Sequence, residues 1–215
     1  MHKNMGKHAQ KFKTYINFVF TTALKSQSGN SYTGFFNINR FNKKNNLMKS
    51  IAIIYGSSTE HTKNAAEKMA ELLAEYSPTL VDIYEGDEMP FLTHEVLILG
   101  VSTWGVQDLQ DDWNDFYPKF EKLDLSGKTI AIFGLGDASI YPSSYVDAMG
   151  ILYEIVIQKG ATVIGEVSPE GYDFEYSRAI KDGKFVGLPL DDDYEPDLTE
   201  ERIINWVETL KPYFE

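Results

Sequence analysis

Ile51-Ala52-Ile53-Ile54-Tyr55-Gly56-Ser57-Ser58-Thr59-Glu60-His61-Thr62, residues 51–62, joins a five-residue apolar run to a glycine, three hydroxyl side chains and the start of a helical pattern. So short and continuous an apolar run suits a parallel strand covered on both faces, because both of its side-chain rows must be buried. Residues 62–76 then repeat apolar side chains at helical spacing, with Ala66, Met69, Ala70 and Leu73 on one face. Strand, polar turn and helix follow one another without a gap, and the same unit recurs downstream. Strands are expected at 79–83, 95–100, 129–133 and 161–165, and helices at 109–120 and 144–159. Thr199 is expected to N-cap a last helix, with Glu200 and Glu201 at its positive end. Strands alternating with helices predict an α/β fold: a doubly wound, five-stranded parallel sheet with right-handed crossovers and helices on both faces.

Composition sets the outer limits. The chain has 215 residues and is 43% hydrophobic, enough for one domain with a full core. It has no cysteine, which excludes disulfides, thiolate metal ligands and cysteine nucleophiles. Of its four histidines, two stand in the first eight residues, so a histidine metal cluster is not expected. The net charge of −12 is unevenly distributed. Residues 1–47 hold seven Lys, one Arg and no acid, whereas residues 48–215 set 32 acids against 12 bases. The first segment is read as a basic leader, disordered or lying upstream of a natural start at Met48, with an organellar presequence as the alternative. Residues 48–215 are the expected domain. So acidic a surface disfavours nucleic acid and anionic membrane and steers the protein towards basic patches on partners. No apolar stretch reaches the length needed to span a bilayer.

In such a sheet, ligands sit beyond the carboxyl ends of the strands, at the point where strand order reverses. Three loops emerge there. The first, residues 56–62, brings hydroxyls to a helix N-terminus, which suits a phosphate, although an N-capped helix after a polar turn reads equally well. It lacks the Gly-Lys-Ser/Thr ending of a P-loop and the further glycines of a dinucleotide fingerprint. The second loop carries Trp104-Gly105 just past a strand end, an unusual place for so large a ring unless it packs on something flat. Trp113 is better placed in the core. The third, Gly134-Leu135-Gly136-Asp137-Ala138-Ser139-Ile140-Tyr141-Pro142, offers another aromatic, an acid and glycines that permit close backbone approach. A single loop aromatic is more often packing than ligand contact; the coincidence of three such loops on one sheet edge carries more weight.

Residues 48–215 resemble a long-chain bacterial flavodoxin. The likeness rests on Tyr55-Gly56-Ser57-Ser58-Thr59, on Thr103-Trp104-Gly105 through Leu109-Gln110-Asp111-Asp112-Trp113, and on Gly134-Leu135-Gly136-Asp137 with Tyr141-Pro142 and Asp147-Ala148-Met149-Gly150. It extends through Glu170-Gly171-Tyr172-Asp173-Phe174 and residues 182–191, which resemble the extra loop that splits the fifth strand in the long-chain class. The resemblance implies a flavodoxin-like fold and non-covalently bound FMN. It implies that Ser57, Ser58, Thr59 and Thr62, with backbone amides at Glu60 and His61, hold the phosphate. Trp104 and Tyr141 would sandwich the flavin ring, Asp137 with Gly136 would meet its pyrimidine edge, and Ser102 and Thr103 would line the same loop. The Gly105–Val106 peptide would respond to the redox state at flavin N5. The chain departs from the family at Glu60, where members often carry Gly, and at Ala138-Ser139-Ile140, where Gln and Gly are common.

The implied function is a low-potential one-electron carrier, not an enzyme: the flavin holds the chemistry and the protein tunes it. Expected partners are redox proteins with basic docking surfaces, a flavodoxin or ferredoxin reductase-type donor and acceptor oxidoreductases, met by a cytoplasmic monomer. An FMN-dependent NAD(P)H or quinone reductase on the same fold is the alternative. A receiver domain would need acids after the first strand and an Asp after the third; Gly56-Ser57 and Ser102-Thr103 stand there instead.

Overall fold

The computed structural model describes residues 48–105 and 108–215; the leader, Val106 and Gln107 lie outside the described residues. Strand β1 (Ile51–Tyr55) is buried along its whole length, as an inner parallel strand must be. Its two side-chain rows enter different cores. Ala52 and Ile54 join Trp113, Phe116 and Met149 on one face, and Ile51, Ile53 and Tyr55 join Met69, Trp206 and Val207 on the other. Helix α1 (His61–Leu72) follows, then β2 (Thr79–Asp82), a one-turn α2 (Met89–Thr93) and β3 (Val96–Trp104). β4 (Asp108–Leu109), α3 (Asp111–Phe120), β5 (Thr129–Leu135), α4 (Asp147–Gln158) and β6 (Thr162–Ile164) come next. The hairpin β7 (Ile180–Lys181) and β8 (Lys184–Phe185), then β9 (Leu188–Leu190) and α5 (Pro196–Leu210), complete the order.

The central sheet runs β2-β1-β3-β5-β6, parallel throughout, with β9 continuing along β5 beyond β6. The fifth position is thus one strand in two pieces, β6 and β9, interrupted by residues 165–187, as the resemblance to the long-chain class implied although the residues of β9 were not themselves read as a strand. α1 and α5 cover one face of the sheet, and α3 and α4 the other. β1 and β3 are neighbours whose following connections leave in opposite directions, so the carboxyl edge opens between them.

Several boundaries differ from expectation for local reasons. β3 runs on to Trp104 instead of ending at residue 100, because Thr103 and Trp104 pair antiparallel with Leu109 and Asp108. Ser102, Thr103 and Trp104 are therefore the end of a strand, not a loop. In α1 the buried row is Thr62, Ala65, Ala66 and Met69, with Leu73 following it; Ala70 lies on the flank, only partly buried. α5 starts a turn earlier than Thr199, because Pro196 takes the first helical position, where a fixed φ and a missing N–H cost nothing. Thr199 lies inside the helix and gives its hydroxyl hydrogen to Asp192.

An ion cluster ties the interrupting segment to α4. Glu154 accepts from Arg178 Nη2 at 2.5 Å and from Lys181 Nζ at 2.9 Å, and the Arg178 backbone N–H donates to Asp147 Oδ1 at 2.6 Å. The Arg178 hydrogen bond above all, aided by Lys181, holds the Glu154 carboxyl down at about 2 against its own desolvation. A folded-state value below the unfolded one means stability present above pH ~4.3 and lost as pH falls towards 2. The side chain is 34% exposed, so solvent screening cuts the contribution to about 1 kcal/mol. Glu154→Gln is accordingly expected to be less stable than the parent by about 1 kcal/mol above pH 5. That gap should close between pH 4.5 and 2 in denaturant titrations; a gap independent of pH would place the effect in packing.

Candidate functional site

Strands β1, β3, β5 and β9 all end on one edge of the sheet, and a cleft of about 240 Å³ opens there. Its first wall is the N-terminus of α1. No side chain caps this helix. The first helical amide with an acceptor is Asn64 N, which donates to Glu60 O at 2.8 Å. The amides of His61, Thr62 and Lys63 thus have no acceptor among the described residues, and such amides form a ready anion site. In the turn that leads into α1 the Ser57 hydroxyl is buried with no hydrogen-bond partner among the described residues, and a buried hydroxyl without one is costly unless a ligand supplies it. An uncapped helix end and an orphaned hydroxyl in the turn before it fit a phosphate.

The remaining walls are aromatic and acidic. Trp104, at the end of β3, is 40% exposed, and Tyr141, beyond β5, is 43% exposed; both line the cleft. The Trp104 Nε1–H donates to Ser102 Oγ at 3.2 Å. Thr103 Oγ1 accepts from Ala148 N at 3.0 Å, fastening β3 to the start of α4. Gly105 sits at φ +55, a conformation that favours glycine, before any change of redox state is considered. Asp137 turns its own loop, accepting from Ile140 N at 2.8 Å.

Of the residues singled out from sequence, Thr59, His61, Thr62, Ser102, Thr103, Trp104, Gly105, Gly136, Asp137 and Tyr141 meet in this cleft. Ser57, Ser58 and Glu60 do not line it. The Ser58 hydroxyl accepts from Gln110 Nε2 at 2.9 Å, and that buried glutamine also caps α3 through Trp113 N. Val106, and with it the Gly105–Val106 peptide, falls outside the described residues. Sequence reasoning missed Asp192 and Asp193, which line the cleft from the loop after β9. Asp191 beside them is buried and accepts from Ala138 N and Tyr194 N, 2.8 and 2.9 Å away; burial nonetheless pushes its carboxyl up. The signal was the acid run at the end of Leu188-Pro189-Leu190, had that segment been seen as a strand reaching the same edge.

Glu60, the departure from the family pattern, takes φ 67, left-handed, at the N-cap of α1. Its carboxylate turns outward to Lys63, 3.4 Å away, so it does not crowd the anion site. A residue with a Cβ pays about 1–2 kcal/mol for this conformation, whereas glycine there pays in unfolded-state entropy. Glu60→Gly is expected to stabilise the apoprotein by about 0.5 kcal/mol after the exposed ion pair is discounted. A lower thermal midpoint in the variant would show that the Glu60–Lys63 pair matters more than its exposure suggests.

The flavodoxin family profile matches residues 53–206. A flavodoxin of Trichodesmium erythraeum is 44% identical over 169 residues, covering 78% of this chain and 99% of its own. Flavodoxin 1 of Azotobacter vinelandii is 43% identical, covering 78% of this chain and 98% of its own. Among solved structures, a Fusobacterium nucleatum flavodoxin bound to flavin mononucleotide superimposes with a TM-score of 0.75 at 32% identity. That match covers 78% of this chain and all of the other.

Proposed function

The chain belongs to the flavodoxin family, and from that premise we propose that it carries electrons one at a time on non-covalently bound FMN in the cleft described above. The family consists of electron-transfer proteins, not enzymes, and the reductase alternative is not favoured. One observation carries the placement of the cofactor: the uncapped α1 terminus and two half-exposed aromatics line a single cleft, and the turn that leads into α1 carries the orphaned Ser57 hydroxyl. Flavodoxins are among the examples from which the switch-point rule was drawn, so the cleft's position accords with the family without testing it.

FMN, when bound, supplies the electron-accepting chemistry. The chain's residues bind, orient and bias it. Ser57, Thr59, Thr62 and the first amides of α1 hold the phosphate; Trp104 and Tyr141 offer faces to the ring; the backbone at Gly136 and Asp137 meets its polar edge. Asp137, Asp192 and Asp193 make the cleft electronegative, which opposes gain of negative charge there and holds the potential low. Among the described residues no group of acids and histidines could hold a metal, and no helix is long and apolar enough to cross a membrane.

The domain is residues 48–215, acting as a cytoplasmic monomer, with the leader as an addition to it. Its 32 acids against 12 bases favour donors and acceptors with basic docking faces, and their association rates should fall as salt rises. The deciding experiment is a titration of the apoprotein with FMN, riboflavin and FAD. FMN should bind with one-to-one stoichiometry, and riboflavin at least about tenfold more weakly, since it lacks the phosphate and 1.4 kcal/mol is tenfold. Equal affinity for FMN and riboflavin would remove the phosphate assignment.

A further inference from the structure

The anion site has an acidic rim. Among the described residues lining the cleft, Asp137, Asp192 and Asp193 are acids and His61 is the single basic side chain. His61 opens α1, beside the amides without acceptors. Its ring Nδ1 lies 3.1 Å from Asp192 Oδ2, and the other Asp192 oxygen accepts the Thr199 hydroxyl, which fixes the carboxylate. An ionised carboxylate only accepts, so this contact places the ring hydrogen of the neutral imidazole on Nδ1. Nε2 is then a lone pair, and a phosphate dianion also only accepts. Protonation makes Nε2 a donor and adds a positive charge in the same step.

We propose that His61, oriented by Asp192, is a proton-dependent phosphate-binding residue, so that FMN is held more tightly when the imidazole is charged. The inference rests on the FMN reading above and adds to it a dependence of cofactor retention on pH. The charged groups facing the ring are these. On its own helix, Glu60 and Lys63 pair with each other at 3.4 Å, and on α5 Glu200 pairs with Lys68 of α1 at 2.5 Å. Asp192 meets it from the loop after β9, and Asp193 and Asp137, in the loops after β9 and β5, line the same cleft. The two pairs largely cancel their own charges. A second effect runs the other way, because a phosphate monoester itself loses its second proton near pH ~6 and the dianion binds better as pH rises.

A comparison with His61→Gln cancels that second effect. The apoprotein of the full chain, His61→Gln and His61→Lys are titrated with FMN and with riboflavin from pH 5.5 to 8.5. The affinity ratio of parent to His61→Gln for FMN should rise about tenfold from the alkaline to the acid end. For riboflavin it should stay flat, and His61→Lys should keep its advantage across the range. Calorimetry at pH 6.5 in buffers of different ionisation enthalpy should show more proton uptake on FMN binding by the parent than by His61→Gln. A constant ratio, or equal proton uptake, with FMN bound by both proteins overturns the role of His61 and leaves the carrier reading standing. Failure of both proteins to bind FMN at any pH overturns the two together.

Discussion

Replacing Trp104 with alanine is expected to weaken FMN binding by about 2 kcal/mol, roughly thirtyfold, while leaving the stability of the apoprotein nearly unchanged. The two halves of this expectation come from the same fact. Trp104 ends β3 with 40% of its surface exposed, and among the described residues its indole N–H reaches only Ser102 Oγ. So large a ring left half in water contributes little to the apoprotein core. It gains its burial when a flat ligand covers it, and planar rings stacked on aromatic side chains lose about 1–3 kcal/mol when the side chain is truncated. Trp113 is the contrast: at 1% exposure, with its indole N–H on Gly100 O, it belongs to the fold. Fluorescence titration of the apoprotein with FMN gives the affinity, and thermal melting of the same sample gives the stability. Trp104→Phe keeps a ring and loses the N–H, so it should recover most of the binding if the face matters more than the hydrogen bond. An unchanged FMN affinity in Trp104→Ala would take Trp104 out of the site.

What could be read in the sequence followed from the size of the physical signal. β1 and the turn after it were legible because a strand covered on both faces must be apolar without a break, and a helix start needs a change of period. The five sheet positions followed from repetition of that signal. β4 escaped notice because two residues carry no period, yet it draws Ser102 to Trp104 into a strand. β9 escaped because it is three residues long with Pro189 in the middle, and proline argues against an inner strand. Pro189 is tolerated because, among the described residues, β9 pairs with β5 on one side and with no strand on the other. Missing β9 meant missing Asp192 and Asp193. The start of α5 was read from Thr199, a good capping residue, when Pro196 decided it. The left-handed turn at Glu60 has no signal in the residue itself, since glutamate does not favour it; the pointer was the glycine that family members often carry there.

The other large effect belongs to Gly187, which joins β8 to β9 and does not line the cleft. A Cβ built on it would lie 1.9 Å from the carbonyl oxygen of Ile132 and 2.8 Å from its carbon. Neither atom can retreat, because Ile132 is in β5, paired with Leu99 of β3 at the centre of the sheet. The chain at residue 187 must move instead, and with it the register of Leu188, Pro189 and Leu190 against Phe133, Gly134 and Leu135. Gly187→Ala is therefore expected to cost about 3 kcal/mol, the upper end for forcing an atom into a packed interior. For a domain of this size that lowers the thermal midpoint by about 6–12 °C. The displacement also travels to function. β9 delivers Asp191, whose carboxylate anchors Ala138 N and Tyr194 N, and Asp192, whose carboxylate meets His61. FMN affinity should fall even at temperatures where the variant is folded, although the altered residue does not line the cleft. Melting of the apoprotein and FMN titration at 10 °C measure the two consequences separately. A midpoint within a degree of the parent would mean that β9 can slide along β5 without loss. Normal affinity at a lowered midpoint would mean that the loop after β9 is held by its own aspartate turns and not by the strand that leads into it.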